Sequence, residues 1–224
     1  MLRVIITAAV IAGVIGGLFA SLAQSVRVVP LILEAETYET DTGAADHDDD
    51  HGGAEDAWAP ETMGQRLAAT IGANLLAGVG FALLLTAGLA LRGDADWYRG
   101  LLWGLAGFAT FSLAPAVGLP PEIPGAETAD LAARQLWWVG TAAATGAGLA
   151  LILLTRQPSW VVLGALLIVI PHLVGAPTPD HHDGSAPEAL AHAFVVATIV
   201  TNFLFWIVLG SSAGYYFKRF AGAD

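Results

Sequence analysis

No cysteine occurs in the 224 residues. That excludes a disulfide, a thiolate metal site and a cysteine nucleophile, and it leaves the redox compartment unmarked. Charge is also scarce. Asp, Glu, Lys and Arg make up 13% of the chain, against about a quarter in a soluble domain. Positive charge is the scarcer sign: nine Lys and Arg face 20 Asp and Glu, for a net −11. Such a balance argues against nucleic acid and for a cationic partner or substrate. A Walker A loop, an H-E-x-x-H helix and a Rossmann glycine pattern are all missing. No nucleophile–base pair is recognisable, so the expectation is a protein that is not an enzyme.

What the chain has is apolar length. Hydrophobic residues make up 55% and mean hydropathy is +0.63. Six runs of 16–25 residues stand out: Val4–Val26, Leu67–Leu91, Gly100–Val117, Leu136–Leu154, Trp160–Gly175 and Ala191–Gly210. Crossing about 30 Å of hydrocarbon at about 1.5 Å per residue takes runs of this size. In lipid each must be helical, because no other backbone partner is at hand, and strand alternation is absent. The pattern predicts an all-α integral membrane bundle of about six transmembrane helices, formed by one membrane domain spanning 1–224. Five helices remain an alternative, because the fifth run is the shortest and Pro171 interrupts it.

Positive charge sets orientation. With an even number of spans and both termini inside, Arg3, Arg92, Arg99, Arg156, Lys218 and Arg219 lie inside, and Arg27, Arg66 and Arg134 outside. The same assignment puts 17 of the 20 acids outside, leaving Asp94, Asp96 and Asp224 within. The expected location is a membrane crossed several times, with cytoplasmic termini. Met1–Arg3, an apolar stretch and Ser21-Leu22-Ala23 also resemble a cleavable signal peptide. The run continues past that point to Leu33, which favours a retained span. Small-xxx-small spacings at Gly13/Gly17, Gly100/Gly104 and Gly210/Gly214 let helix backbones approach closely. They serve packing within the chain or, alternatively, a partner helix or an oligomer.

The remaining chemistry is ligation by His and carboxylate. Eleven acids fall between Glu34 and Glu61. Pro30 allows a turn or a restarted helix, and on a helix Glu36 and Glu39 share one face and Glu34 and Tyr38 another. Glu34, Glu36 and Glu39 are candidate cation ligands at the outer surface; an amphipathic lip with its acids in water is the plainer reading. The low-complexity stretch Asp41–Ala57 carries His47 and His51 among aspartates. It reads as a solvated acidic tether or, alternatively, a loose metal-concentrating loop. His172 follows Pro171 within an apolar run, where an ionisable residue is a candidate functional group by default. His181, His182 and His192 follow on the same outer hairpin. Nitrogen and oxygen donors without sulfur suit borderline divalent metals such as Co²⁺, Ni²⁺ and Zn²⁺ better than Cu(I). A proline-stiffened loop at Pro120–Gly125 brings Glu122, a weaker candidate, and Arg134 is placed to pair with Glu122 or Glu127, while Trp137 and Trp138 anchor the fourth span.

Four segments, PLILEAETYE (Pro30–Glu39), LWGLAGFATFSLAPAVGLPPEIPG (Leu102–Gly125), RQLWWVGTAAATGAGLAL (Arg134–Leu151) and PHLVGAP (Pro171–Pro177), occur in order. As a set they resemble the CbtA family, the probable cobalt transporter subunits of bacteria. The resemblance implies cobalt uptake linked to cobalamin synthesis, no permanently bound cofactor, and a small single-span, histidine-bearing CbtB partner. It also implies five spans, as the family is often described. The expectation is thus an inner-membrane subunit that captures a divalent metal on outer carboxylates and histidines and passes it inward near Asn74, Thr141, Thr145, Thr198 and Asn202. The alternative is a metal-binding scaffold or sensor that transports nothing.

Overall fold

The structure is a computed structural model and describes residues 1–43, 62–155, 157–179 and 184–222. Among these, regular structure is entirely helical: α1 (Leu2–Arg27), α2 (Val29–Gly43), α3 (Met63–Arg92), α4 (Trp97–Phe108), a π-helical turn (Ala109–Leu113), α5 (Ala114–Gly118), α6 (Leu131–Leu154), α7 (Pro158–Val174) and α8 (Glu188–Ala221). Among the described residues, five helical segments are long and apolar enough to cross a membrane: α1, α3, the continuous α4–π–α5 rod, α6 and α8. Helix α7, with 17 residues, rises about 25 Å and falls short of the usual span of about 30 Å.

Polar residues set the starts and stops. Thr62 and Gln65 cap α3 reciprocally, and the helix ends at Gly93, whose φ of +68° suits glycine. Asp96 accepts from the Arg99 amide at 2.7 Å to start α4, and Asp130 accepts from the Ala133 amide at 2.9 Å to start α6. Pro30 does not end helical structure: Val28 stays in the right-handed region and α2 restarts at once, with Pro30 near its first turn. Pro171 lies within α7, and the helix continues to Val174.

Small residues bring the core helices together. α1 packs along both α3 and α8, and α4 packs along α8. A Cβ on Gly13 would lie 2.5 Å from the Val79 backbone, and one on Gly17 would meet Asn74 and Leu75. Gly100 and Gly104 likewise face Gly210 and Gly214 backbone to backbone. The three small-xxx-small spacings are therefore used for packing within the chain. Ala9, Ala12, Leu85, Phe205, Trp206 and Leu209 fill the centre of this four-rod core. α6 and α7 form a hairpin beside it, touching at Gly148 and Gly164, and α6 meets the core through the π turn and α5.

The two ends of the bundle differ in charge. Val4 and Ala8 pack with Phe217, so the first turns of α1 and the last turns of α8 share one end with the α3–α4 turn. Arg3, Arg92, Arg99, Lys218 and Arg219 belong to this end. At the other end α2 folds over the start of α8 and the loop before α6, where Val28, Ala35, Ile123, Leu190 and Phe194 form a second apolar cluster. Glu34, Glu36, Glu122, Glu127, Asp130 and Glu188 gather there.

Candidate metal-handling site

The acidic end is assembled from α2, the loop 119–130, α6 and α8. α2 has no basic residue in its last turn and no acid in its first, so its helix dipole is unassisted and its docking rests on the cluster around Ala35 and Ile123. Glu34 is exposed. Glu36 makes a 2.6 Å ion pair with Arg66 of α3, which ties α2 to the top of the core. An exposed pair of this kind contributes about 0–1 kcal/mol. A cation reaching Glu36 must share that carboxylate with a guanidinium.

Glu39 lies in α2, and its side chain is outside the described residues, as are His47, His51, His181 and His182. His192 is exposed on α8, one turn after its start. His172 is half-buried near the end of α7. Its ring stands edge-on to Trp137 with centroids 5.9 Å apart, and its Nδ1 is buried without a hydrogen-bond partner. The Trp137 indole donates to the Pro171 carbonyl at 3.3 Å, so these neighbours also lock the hairpin. Among the described residues no three His, Asp or Glu side chains come together in a group able to hold a metal. Of the sequence-derived ligands, the described ones, Glu34, Glu36, Glu122, His172 and His192, share an end of the molecule without converging.

Convergence occurs instead at a cavity of about 550 Å³ between the π turn and α5, the first turns of α6, and the middle of α8. Its volume falls in the range of small-ligand sites. Ser112, Glu122, Arg134, Gln135 and Asn202 supply its polar groups. The π turn adds one residue to the helical repeat, a device frequent at functional sites. Here Ser112 accepts from the Trp206 indole at 3.2 Å and also lines the cavity. Phe111 closes the core side, stacked on Trp206 and tilted against Phe81. Of the two carboxylates within reach in the sequence, Glu122 pairs with Arg134. The contact uses one guanidinium nitrogen, and the Arg134 Nε is buried with no partner.

Below the cavity, Arg134, Trp138, Thr141 and Thr145 recur at i, i+4, i+7 and i+11, one stripe along α6. Thr141 and Thr145 are fully buried, and neither hydroxyl has a partner; the Thr198 hydroxyl on α8 is also buried and unpartnered. Asn202 faces the cavity. Asn74 does not join this group. It donates to Ser21 and Gln24 and fastens α3 to α1. Sequence reasoning assigned Glu122 and Arg134 to a stiffened loop and missed Ser112 and Gln135. The signal was a carboxylate within a Pro-rich turn and an arginine after it, but only the π turn shows which face of α4 meets them.

None of the curated proteins and none of the solved structures matches the chain. A family model described as "Probable cobalt transporter subunit (CbtA)" matches residues 2–218. Together with the multi-span helical fold, that match over nearly the whole length places the chain in the CbtA family of probable cobalt transporter subunits of the membrane.

Proposed function

We propose that the protein is the membrane subunit through which Co²⁺ is taken up for cobalamin synthesis, working with a small, single-span CbtB-like protein. The acidic end faces outward and the basic end, with both termini, faces the cytoplasm. Outer carboxylates and histidines, Glu34, Glu36, Glu39, His172, His181, His182 and His192, with Glu122, His47 and His51 as secondary groups, concentrate and strip the cation. The observation that carries this reading is the separation of charge along the bundle: most of the described acids collect at one end, beside a largely apolar cavity that carries a few polar side chains. Among the described residues the basic end offers Asp94 and Asp96, with Asp94 paired to Arg99 at 2.7 Å and Asp96 spent on the α4 cap. It therefore releases a cation more readily than it binds one. An inside-negative potential adds about 2.3 kcal/mol per charge per 100 mV, enough to drive a doubly charged ion without nucleotide hydrolysis.

Reconstitution tests this. The full chain, with and without the small partner, is placed in liposomes carrying a Co²⁺-sensitive dye, and an inside-negative potential is imposed. The expected outcome is dye response that grows with the potential. Binding of Co²⁺ with no flux in either preparation would replace transport by a scaffold or sensor role.

A further inference from the structure

We infer that the cavity between the π turn, α6 and α8 is a transient site for a partly hydrated divalent cation, and that Arg134 is its built-in competitor for the Glu122 carboxylate. The inference rests on the uptake reading above and adds the place where the ion leaves the surface. Six waters at about 30 Å³ each fill about 180 Å³, so a six-coordinate ion with its first shell fits the 550 Å³ available. Its lining residues that carry oxygen are Glu122, Ser112, Gln135 and Asn202, beside the Arg134 guanidinium. Without imidazole such a set binds transition metals weakly, which suits a site that must also let go.

Arg134 supplies the selectivity. With the ion pair formed, the cavity is neutral, so a monovalent cation gains no more from Glu122 than the guanidinium already does. A divalent cation that displaces the guanidinium doubles the Coulomb attraction to the same carboxylate. The pair is also incompletely made. One nitrogen reaches Glu122 while Nε is buried and unpartnered, whereas a structural Arg–carboxylate pair commonly engages both prongs. Both side chains are about a quarter exposed, so water and ions reach them. Beyond the site, the buried and unpartnered hydroxyls of Thr141 and Thr145 continue the same stripe of α6. They give an ion that has passed Arg134 somewhere to go.

Trp138 lines the cavity and reports on it, because bound Co²⁺ quenches indole fluorescence. Titration of the detergent-purified full chain with CoCl₂ should show a saturable quench whose amplitude falls in Trp138→Phe. Arg134→Gln should lower the half-saturating Co²⁺ at least tenfold, and Glu122→Gln should raise it at least tenfold. If the pair only holds the fold together, the two variants shift in the same direction or not at all, and the inference is overturned. It is equally overturned if Trp138→Phe leaves the quench amplitude intact. Should a single variant elute abnormally, Glu122→Gln combined with Arg134→Gln leaves no unpaired charge and carries the expectation of Glu122→Gln; wild-type affinity in that double variant refutes the site. Liposome flux keeps the two levels apart. Wild-type flux in Glu122→Gln removes the cavity site and leaves transport standing, while a Trp138-dependent quench without any flux removes transport and leaves the site.

Discussion

Thr141 and Thr145 carry an energetic oddity. A hydroxyl buried without a partner costs about 1–3 kcal/mol, and a threonine in a helix normally avoids this by bonding to the carbonyl one turn back, as Thr86 does to Ala82 at 2.8 Å. Thr141 and Thr145 do not, although they are 0% and 2% exposed. Thr141→Val keeps the shape and removes the orphan group. It should leave the thermal midpoint in detergent unchanged or raise stability by about 1 kcal/mol, while slowing Co²⁺ uptake severalfold. Faster or equal uptake at wild-type abundance would show that the stripe is not on the path. His172 is a contrasting case. Its position next to Pro171 was evident in the sequence, but its contact with Trp137 was not, because that contact depends on how α6 and α7 cross.

At the scale of helices, the apolar runs located all five long helices and also counted as a sixth span the run of α7, which at 17 residues is too short. Boundaries moved outward where caps and amphipathic turns extend beyond the hydrocarbon: α8 covers 34 residues against the 20 of its apolar run. The π turn was not legible, because ATFSL has no signature distinguishing it from an α-helical stretch. Nor was the partner of each glycine. Gly148 and Gly164 attracted no notice in the sequence, yet a Cβ on Gly148 would lie 2.5 Å from the Gly164 carbonyl oxygen. Pairings of this kind come from the three-dimensional crossing, not from spacing on one helix. They divide the glycines into two kinds that a thermal melt in detergent separates. Gly104→Leu forces a side chain against the Trp206 carbonyl and Gly210 and should cost about 3 kcal/mol or more, seen as loss of folded protein from the membrane. Gly80→Ala and Gly140→Ala meet open space and should stabilise by about 0.5–1 kcal/mol through helix propensity. Equal tolerance at Gly104 and Gly80 would mean the α4–α8 seam is not as close as described.

For the molecule as a whole, composition alone was enough to set the class, and four ordered segments were enough to suggest the family. The candidate site was legible only in outline, because sequence puts acids at an end but does not show which of them meet. The crowding of acids at one end also has a consequence for supply. A surface held at about −30 mV, as anionic lipid produces, enriches a divalent cation about tenfold over bulk by the Boltzmann factor, and a monovalent one only about threefold. On the proposed orientation, the acidic end would work as a local reservoir even where no single group binds tightly. Its reach is the Debye length, about 10 Å at 0.1 M salt and about 3 Å at 1 M. Raising ionic strength with an inert salt from about 0.02 to about 0.5 M should therefore raise the Co²⁺ concentration for half-maximal uptake severalfold and leave the maximal rate nearly constant. A fall in the maximal rate instead would place the electrostatic step inside the membrane, at the carboxylate Arg134 guards, and the outer face would be a bystander to a supply that diffusion alone maintains.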